Sequence, residues 1–292
     1  MIRCRSLLFV PGNNPGMLAN AGSLGADVAI FDMEDAVAQA EKDTARILIR
    51  NTLTFLKPST IQVAVRINAL DTPYWQEDIH AAVKGGADYI LAPKCSEPSD
   101  VRTLVKTIEE EEDTQNKDRK ILLLALVETA LGIENAFALA CSHPKLAAMQ
   151  LGAEDLTAEL GARRTAKGEE ILYARSRLIM ACRAAGIKAL DTPFPFVTDM
   201  EGLKADAALS AQLGFDGKTV ISPHHVYAVN EAFTPSAEQV RWAERVMAVA
   251  RRAKEEGKGA VSLDGMMVDL PIIKRAERIL SRAAATTEKS HA

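Results

Sequence analysis

The stretch Val28-Ala-Ile-Phe-Asp-Met-Glu-Asp35 is an apolar run that ends on three acids, Asp32, Glu34 and Asp35. The same form recurs along the chain. Ile121-Leu-Leu-Leu-Ala-Leu-Val-Glu128 ends on Glu128, Met149-Gln-Leu-Gly-Ala-Glu-Asp155 on Glu154 and Asp155, and Ile187-Lys-Ala-Leu-Asp191 on Asp191. Val63-Ala-Val-Arg66 and Tyr89-Ile-Leu-Ala-Pro-Lys94 end on cations instead. Short apolar runs at 5–10, 27–32, 61–67, 88–93, 121–127, 147–152, 187–191 and 217–221 bring the number to eight. Most are rich in Val, Ile and Leu without strict alternation, as expected of strands buried on both faces. Between them, 76–84, 99–112, 169–185 and 200–213 have helical spacing, and Gly85-Gly86 and Gly186 stand where helices should stop. Eight strands alternating with helices predict an α/β fold, a (β/α)8 TIM barrel and not a doubly wound sheet. In such a barrel the carboxyl ends of all strands meet at one mouth. The run-ending charges are therefore expected to converge there as an acidic pocket with two fixed cations.

Composition narrows the function. The 292 residues are 48% hydrophobic and 25% charged, ordinary for a globular core, and the net charge of −4 advertises no surface for nucleic acid. No apolar stretch approaches the roughly 20 residues of a membrane helix. The amino-terminal run stops at Pro11, too early for a signal peptide, and reads as a first strand. Cys4, Cys95, Cys141 and Cys182 are scattered with no Cys-x-x-Cys, which fits reduced thiols and a cytoplasmic location. Gly12-Asn-Asn-Pro-Gly16 follows the first run and is too interrupted by Pro15 to be a dinucleotide turn. The pattern changes after Phe233, so residues 1–232 are assigned to the barrel and 233–292 to a C-terminal helical arm. A charged amphipathic helix is predicted at 236–256, a break at Gly257-Lys-Gly259, a last helix at 272–284, and a frayed end from Thr286. Such an arm packs either on its own barrel or over a neighbouring subunit.

Glu128 and Asp155 close adjacent strands. Two carboxylates, completed by waters and ligand oxygens, are the usual protein share of a Mg²⁺ site, and such a cation polarises a chelated hydroxy- or oxo-acid. Either carboxylate could instead cap the helix after its strand; as a pair they are expected to hold metal. Arg66 either receives a substrate carboxylate bidentately or closes an internal salt bridge to the acids of the second run. Asp32, Glu34 and Asp35 alternate, so at most two face the pocket, one of them orienting Arg66 or a metal-bound water. Lys94 reads as a barrel salt-bridge lysine more readily than as a Schiff-base nucleophile. His224 and His225 have no partner at ligand spacing and read as a loop pair near the rim. Gly214-Phe-Asp-Gly-Lys218 precedes its strand, at the barrel's other end, which weakens a phosphate-binding reading. Asp269, ahead of Pro271, reads locally as a helix N-cap.

Assembled in order, these segments resemble the citrate lyase β-subunit family, which includes citramalyl-CoA, malyl-CoA and β-methylmalyl-CoA lyases, within the HpcH/HpaI aldolase superfamily. The matching stretches are Arg5-Ser-Leu-Leu-Phe-Val-Pro-Gly12, Phe31-Asp-Met-Glu-Asp-Ala-Val37, Val65-Arg-Ile-Asn68, Ala92-Pro-Lys94, Val127-Glu-Thr-Ala130, Gly152-Ala-Glu-Asp155, Gly214-Phe-Asp-Gly-Lys218 and Gly265-Met-Met-Val-Asp-Leu-Pro271. The resemblance implies a (β/α)8 barrel whose C-terminal arm reaches a neighbour's active site in a homotrimer. It implies Mg²⁺ (with Mn²⁺ the alternative) on Glu128 and Asp155, a carboxylate-binding Arg66, and a proton-carrying Asp269. Gly16 departs from relatives that carry a Lys after the Val-Pro-Gly turn. The implied reaction is cleavage of a citryl-, citramalyl- or malyl-type thioester, on CoA or an acyl carrier protein, to an acetyl thioester and a 2-oxo acid such as oxaloacetate. Alternatives are a class II metal-dependent aldolase on free hydroxy-oxo acids, or a subunit active only with citrate lyase α and γ partners.

Overall fold

Parallel strands β1 (Ser6–Pro11), β2 (Val28–Asp32), β3 (Gln62–Arg66), β4 (Tyr89–Ala92), β5 (Leu122–Val127), β6 (Leu146–Leu151), β7 (Lys188–Asp191) and β8 (Gly217–Val220) close into a barrel in chain order, β8 pairing back onto β1. The architecture is a (β/α)8 TIM barrel, and each apolar run is one of its strands, with ends displaced by no more than one residue. This computed structural model describes residues 4–56, 61–115, 120–255 and 261–287.

The strands bury both faces, which explains their unbroken hydrophobicity. Leu7, Ile30, Leu91, Leu124, Leu126 and Leu190 fill the barrel, while Leu8, Val10, Val63, Ile90, Leu123 and Met149 pack under the surrounding helices. Pleating alternates the two sets. The register then decides what meets at the mouth: Pro11 pairs with Asp32, and Asp32 with Arg66.

One run-ending acid does not reach the mouth. Asp191 follows Leu190, whose side chain points into the barrel, so Asp191 faces outward and is fully buried beneath the helices Leu172–Ala185 and Met200–Leu213. There Arg175 holds both carboxylate oxygens, at 3.0 and 2.8 Å, and Lys218 Nζ lies 2.9 Å from Oδ2. Asp206 completes the network, 2.6 Å from each cation. Burial alone would raise the pKa of Asp191, but Lys218 and Arg175 hold it below the usual carboxylate range.

Residues Thr234–Ala292 form a second compact unit. Its helices Ala237–Glu255 and Leu270–Thr287 flank a hairpin of β9 (Val261–Leu263) and β10 (Met266–Val268). Asp264 and Gly265 turn the hairpin with φ of 51° and 79°, the left-handed pair that a two-residue type I′ turn requires. Ala243, Val246, Val268 and Ala276 make its buried core, with Trp242, Ile273 and Leu280 packed against them. The predicted break at 257–259 lies outside the described residues. The last helix continues to Thr287, past the point where fraying was expected. Among the described residues no helix is long and apolar enough to cross a membrane.

The balanced network behind β7 and β8 makes a direct prediction. Lys218→Met leaves two buried carboxylates with one cation and should cost about 3–5 kcal/mol, read as a lowered urea midpoint. A loss no larger than that of an exposed pair, about 1 kcal/mol or less, would contradict this account.

Candidate active site

Arg66 ends β3 beside the end of β2 and is 8% exposed. Its Nε and Nη2 donate to the two oxygens of Asp32 at 2.7 and 2.6 Å, and Nη1 donates to Asp35 at 3.0 Å. The guanidinium also lies 4.9 Å from the centre of the Phe9 ring, a cation–π contact. Burial would lower the Arg66 pKa, yet the Asp32 bond and the charges of Asp32, Glu34 and Asp35 raise it overall. The internal salt bridge, one of the two readings left open by the sequence, is therefore present. Asp32 has a second task, accepting from the backbone N–H groups of Glu34 and Ala36 at 2.8 and 3.1 Å. One carboxylate thus fixes both the cation and the turn that carries the other two acids. Close by, Gly12 N–H donates to Asp32 O at 2.9 Å, and a Cβ on residue 12 would stand 2.3 Å from that oxygen.

Glu34 Oε2 is 3.0 Å from Arg66 Nη1 but outside the directions of its N–H bonds, so it has an ionic neighbour and no hydrogen bond. Burial pushes the Glu34 carboxyl up to about 7; Arg66 opposes this, and Asp35 and Asp32 add to it.

Glu128 follows β5, is 4% exposed, and accepts from the backbone N–H of Lys94 at Oε1, 2.9 Å away. On its other side is Gly152, where a Cβ would fall 2.5 Å from both Glu128 Cβ and Oε2. Only glycine leaves room for this carboxylate. Burial, then the charges of Glu34 and Asp155, push Glu128 up to about 8. Asp155 lies in the first turn of the helix Ala153–Glu159, after β6. The start of that helix is fixed by Ala153 N–H donating to Thr192 Oγ1 at 3.1 Å.

Asp32, Asp35, Arg66, Glu128 and Asp155 all line one cavity of ≈ 410 Å³, within the usual range for a small-molecule site. Phe9, Leu126, Ile221 and Ala36 supply its apolar wall, and Glu154, held by Arg164 at 3.1 Å, its rim. Two of the three second-run acids line it, but they are Asp32 and Asp35; alternation would have paired Asp32 with Glu34, and because β2 ends at Asp32 the turn that follows brings Asp35 round instead. Lys94 meets the site through its main chain, and its side chain is exposed; the salt-bridge lysine expected from the sequence is replaced by a backbone contact. His225 is buried, with Nε2 3.0 Å from Val197 O, and so is not a rim residue, whereas His224 is exposed. Asp269 belongs to the second unit, is exposed, and caps its helix, accepting from Ile272 N–H at 3.2 Å. Thr192 has no signal in the sequence and Gly152 appears there only within the stretch Gly152-Ala-Glu-Asp155, with no role of its own, although both directly follow strands, where barrel sites gather.

The donor chemistry fits a hard divalent cation. Among the described residues no three His, Cys, Asp or Glu side chains form a complete metal cage. Two mouth carboxylates, one raised by burial and then by the negative charge of its neighbours, match instead an open Mg²⁺ site that waters and substrate oxygens complete.

Glu34 also sets a pH dependence. Because its folded pKa is raised, ionising it costs stability: nothing below about pH 4.5, increasingly as pH rises, and fully above about 7. Stability measured in EDTA should fall across that window, and Glu34→Gln should flatten the fall. An unchanged slope in the variant would show that Glu34 is not its source.

Residues 5–223 match the HpcH/HpaI aldolase/citrate lyase family. The chain is 40% identical over 282 residues to the citrate lyase subunit beta of Leuconostoc mesenteroides subsp. cremoris, covering 96% of this chain and 93% of the relative. It is 31% identical to the mitochondrial citramalyl-CoA lyase of Rattus norvegicus, covering 98% and 87%. The crystal structure of protein CitE from Mycobacterium tuberculosis in complex with magnesium, acetoacetate and coenzyme A superposes with a TM-score of 0.78 at 34% identity, over 96% of this chain and 97% of that one. By sequence and by fold over nearly its whole length, the chain belongs to the HpcH/HpaI aldolase/citrate lyase family and is a carbon–carbon lyase.

Proposed function

We propose that the chain is a Mg²⁺-dependent lyase, Mn²⁺ being the alternative cation, that cleaves a 3-hydroxy-carboxyacyl thioester to an acetyl thioester and a 2-oxo acid. The observation that carries this reading is the convergence of Arg66, Glu128 and Asp155 on one cavity. The magnesium, acetoacetate and coenzyme A in the CitE complex support it. Glu128 and Asp155 would hold the cation, which supplies Lewis-acid polarisation of a chelated hydroxy- or oxo-acid. Arg66 has five N–H donors, of which three are committed to Asp32 and Asp35; the two that remain would anchor the carboxylate at the same end of the substrate. Asp32, Glu34 and Asp35 keep that guanidinium in place. The 3-hydroxyl would lose its proton to solvent and become the carbonyl of the 2-oxo acid as the carbon–carbon bond breaks. The bonding pair would pass to the thioester fragment as an enolate, and the Asp269 carboxyl of a neighbouring subunit in a homotrimer would deliver a proton to its carbon.

The citryl thioester, giving oxaloacetate, is the first substrate to test, because identity to citrate lyase β subunits (40%) exceeds that to citramalyl-CoA lyase (31%). The same difference favours a cytoplasmic enzyme working with α and γ subunits, the latter as acyl carrier.

Purified chain with Mg²⁺ should release acetyl-CoA from citryl-, citramalyl- or malyl-CoA and fall silent in EDTA. Activity only on an acyl-carrier-bound ester would place it in a complex, whereas cleavage of free hydroxy-oxo acids would favour the aldolase. Glu128→Ala and Asp155→Ala should abolish metal-dependent turnover; full activity of either in EDTA would refute the assignment. Asp269→Asn should lower kcat by about 10²–10⁴-fold with an unchanged melting temperature, since Asn caps a helix as well as Asp. An equal loss of Tm would mean that Asp269 serves only as a cap.

A further inference from the structure

Two non-glycine residues among those described have left-handed backbone, Asp264 at φ 51° and Lys94 at φ 52°. Asp264 belongs to an Asp-Gly hairpin, where that conformation is required. Lys94 lies in the turn that Pro93 opens, at a position where glycine or asparagine is usual and lysine is not. It follows Pro93 at the exit of β4, and an L-residue bearing a long side chain is strained there. What the conformation achieves is visible in its contacts, since the N–H of Lys94 donates to Glu128 Oε1 at 2.9 Å.

The segment around Lys94 is laced to the chain on both sides of Glu128. Cys95 N–H donates to Leu126 O at 3.1 Å, and Ser96 Oγ lies 2.7 Å from Thr129 Oγ1. Asn135 Nδ2 donates to Ser96 O at 2.9 Å. The carboxylate of Glu128 is thereby slotted between a backbone donor on Oε1 and the bare Cα of Gly152 beside Oε2. The Lys94 side chain is exposed and does not line the cavity.

We propose that Lys94 is a positioning residue whose left-handed backbone, and not its ammonium group, aims an N–H at Glu128 Oε1 and so sets the carboxylate orientation that binds the divalent cation. This rests on the reading of Glu128 as a cation ligand. Partners that orient a metal ligand typically change affinity by 10–100-fold when disturbed. The strain at residue 94 is then the means of presenting an N–H that an extended backbone would direct elsewhere.

The test separates backbone from side chain by calorimetric Mg²⁺ titration of Lys94→Gly, Lys94→Asn, Lys94→Ala and Lys94→Val. All four remove the ammonium, but glycine and asparagine tolerate left-handed backbone and valine resists it most. The expected result is a Kd within about twofold of wild type for Gly and Asn, and about tenfold weaker or more for Val, with Ala between. Should Val fail to fold, as judged by melting in EDTA, the Asn–Ala comparison carries the same contrast. An equal loss in all four would assign the role to the ammonium group and overturn the proposal, as would four unchanged affinities. Failure of the underlying reading looks different: the wild type takes up no Mg²⁺, or Glu128→Gln binds it with wild-type affinity. Either of those outcomes removes Glu128 as a ligand, and the proposal with it, before the Lys94 series is compared.

Discussion

Asp32 and Arg66 stand opposite each other in the β2–β3 register, and the mouth of the barrel is built around that pairing. A buried guanidinium is costly unless its donors are met, and Asp32 meets two of them in the fork geometry. Asp32 also accepts from the turn that follows, so the acids of that turn are placed by the same carboxylate that holds the cation. Asp35 and Glu34 then crowd the one guanidinium, and with Glu128 and Asp155 the mouth holds more negative charge than Arg66 can balance. Burial first, and then that excess, push the carboxyls of Glu34 and Glu128 up to about 7 and about 8. A site in that condition is stabilised by taking protons or by taking a divalent cation. The cation affinity proposed for this site would be the electrostatic complement of the way Arg66 is held.

Much of this could be read before folding, because a parallel barrel sends every strand's carboxyl end to one place. The rule located Arg66, Asp32 and Glu128 from the ends of apolar runs alone. It misplaced Asp191, and the reason is parity. A strand buried on both faces is apolar at every position, so its sequence does not say which residues point inward. In β5 the inward set, Leu122, Leu124 and Leu126, continues to Glu128; in β7 it passes through Leu190 and leaves Asp191 outside. The backbone contact of Lys94 was hidden for another reason. Residue type reports on a side chain, whereas its contribution to the site is a backbone N–H whose direction depends on φ. The Asp264-Gly265 turn did have a sequence signal, but three-residue strands are too short to show the alternation that would frame it.

Two of the barrel's ionic clusters, one behind β7 and β8 and one at the mouth, are composed alike and balanced differently. Behind β7 and β8, Arg175 and Lys218 face Asp191 and Asp206, two charges of each sign, all closed from water. That network is balanced in charge and holds Asp191 in its charged form, although Arg175 Nη1 and Asp206 Oδ2 make no hydrogen bond. At the mouth, Arg66 is ion-paired to Asp32, Glu34 and Asp35, one cation to three acids, with Lys42 and Lys94 acting from farther off, beside a cavity open to a ligand. The closed cluster also steadies the open one. Lys218 Nζ donates to Thr192 O at 2.6 Å, and Thr192 Oγ1 accepts from Ala153 N–H, at the start of the helix that carries Asp155. A completed charge set thus anchors the element that presents one of the uncompleted acids. Acidic side chains at strand ends divide by charge count: those whose cations are already supplied build the scaffold, and those short of a cation form the site.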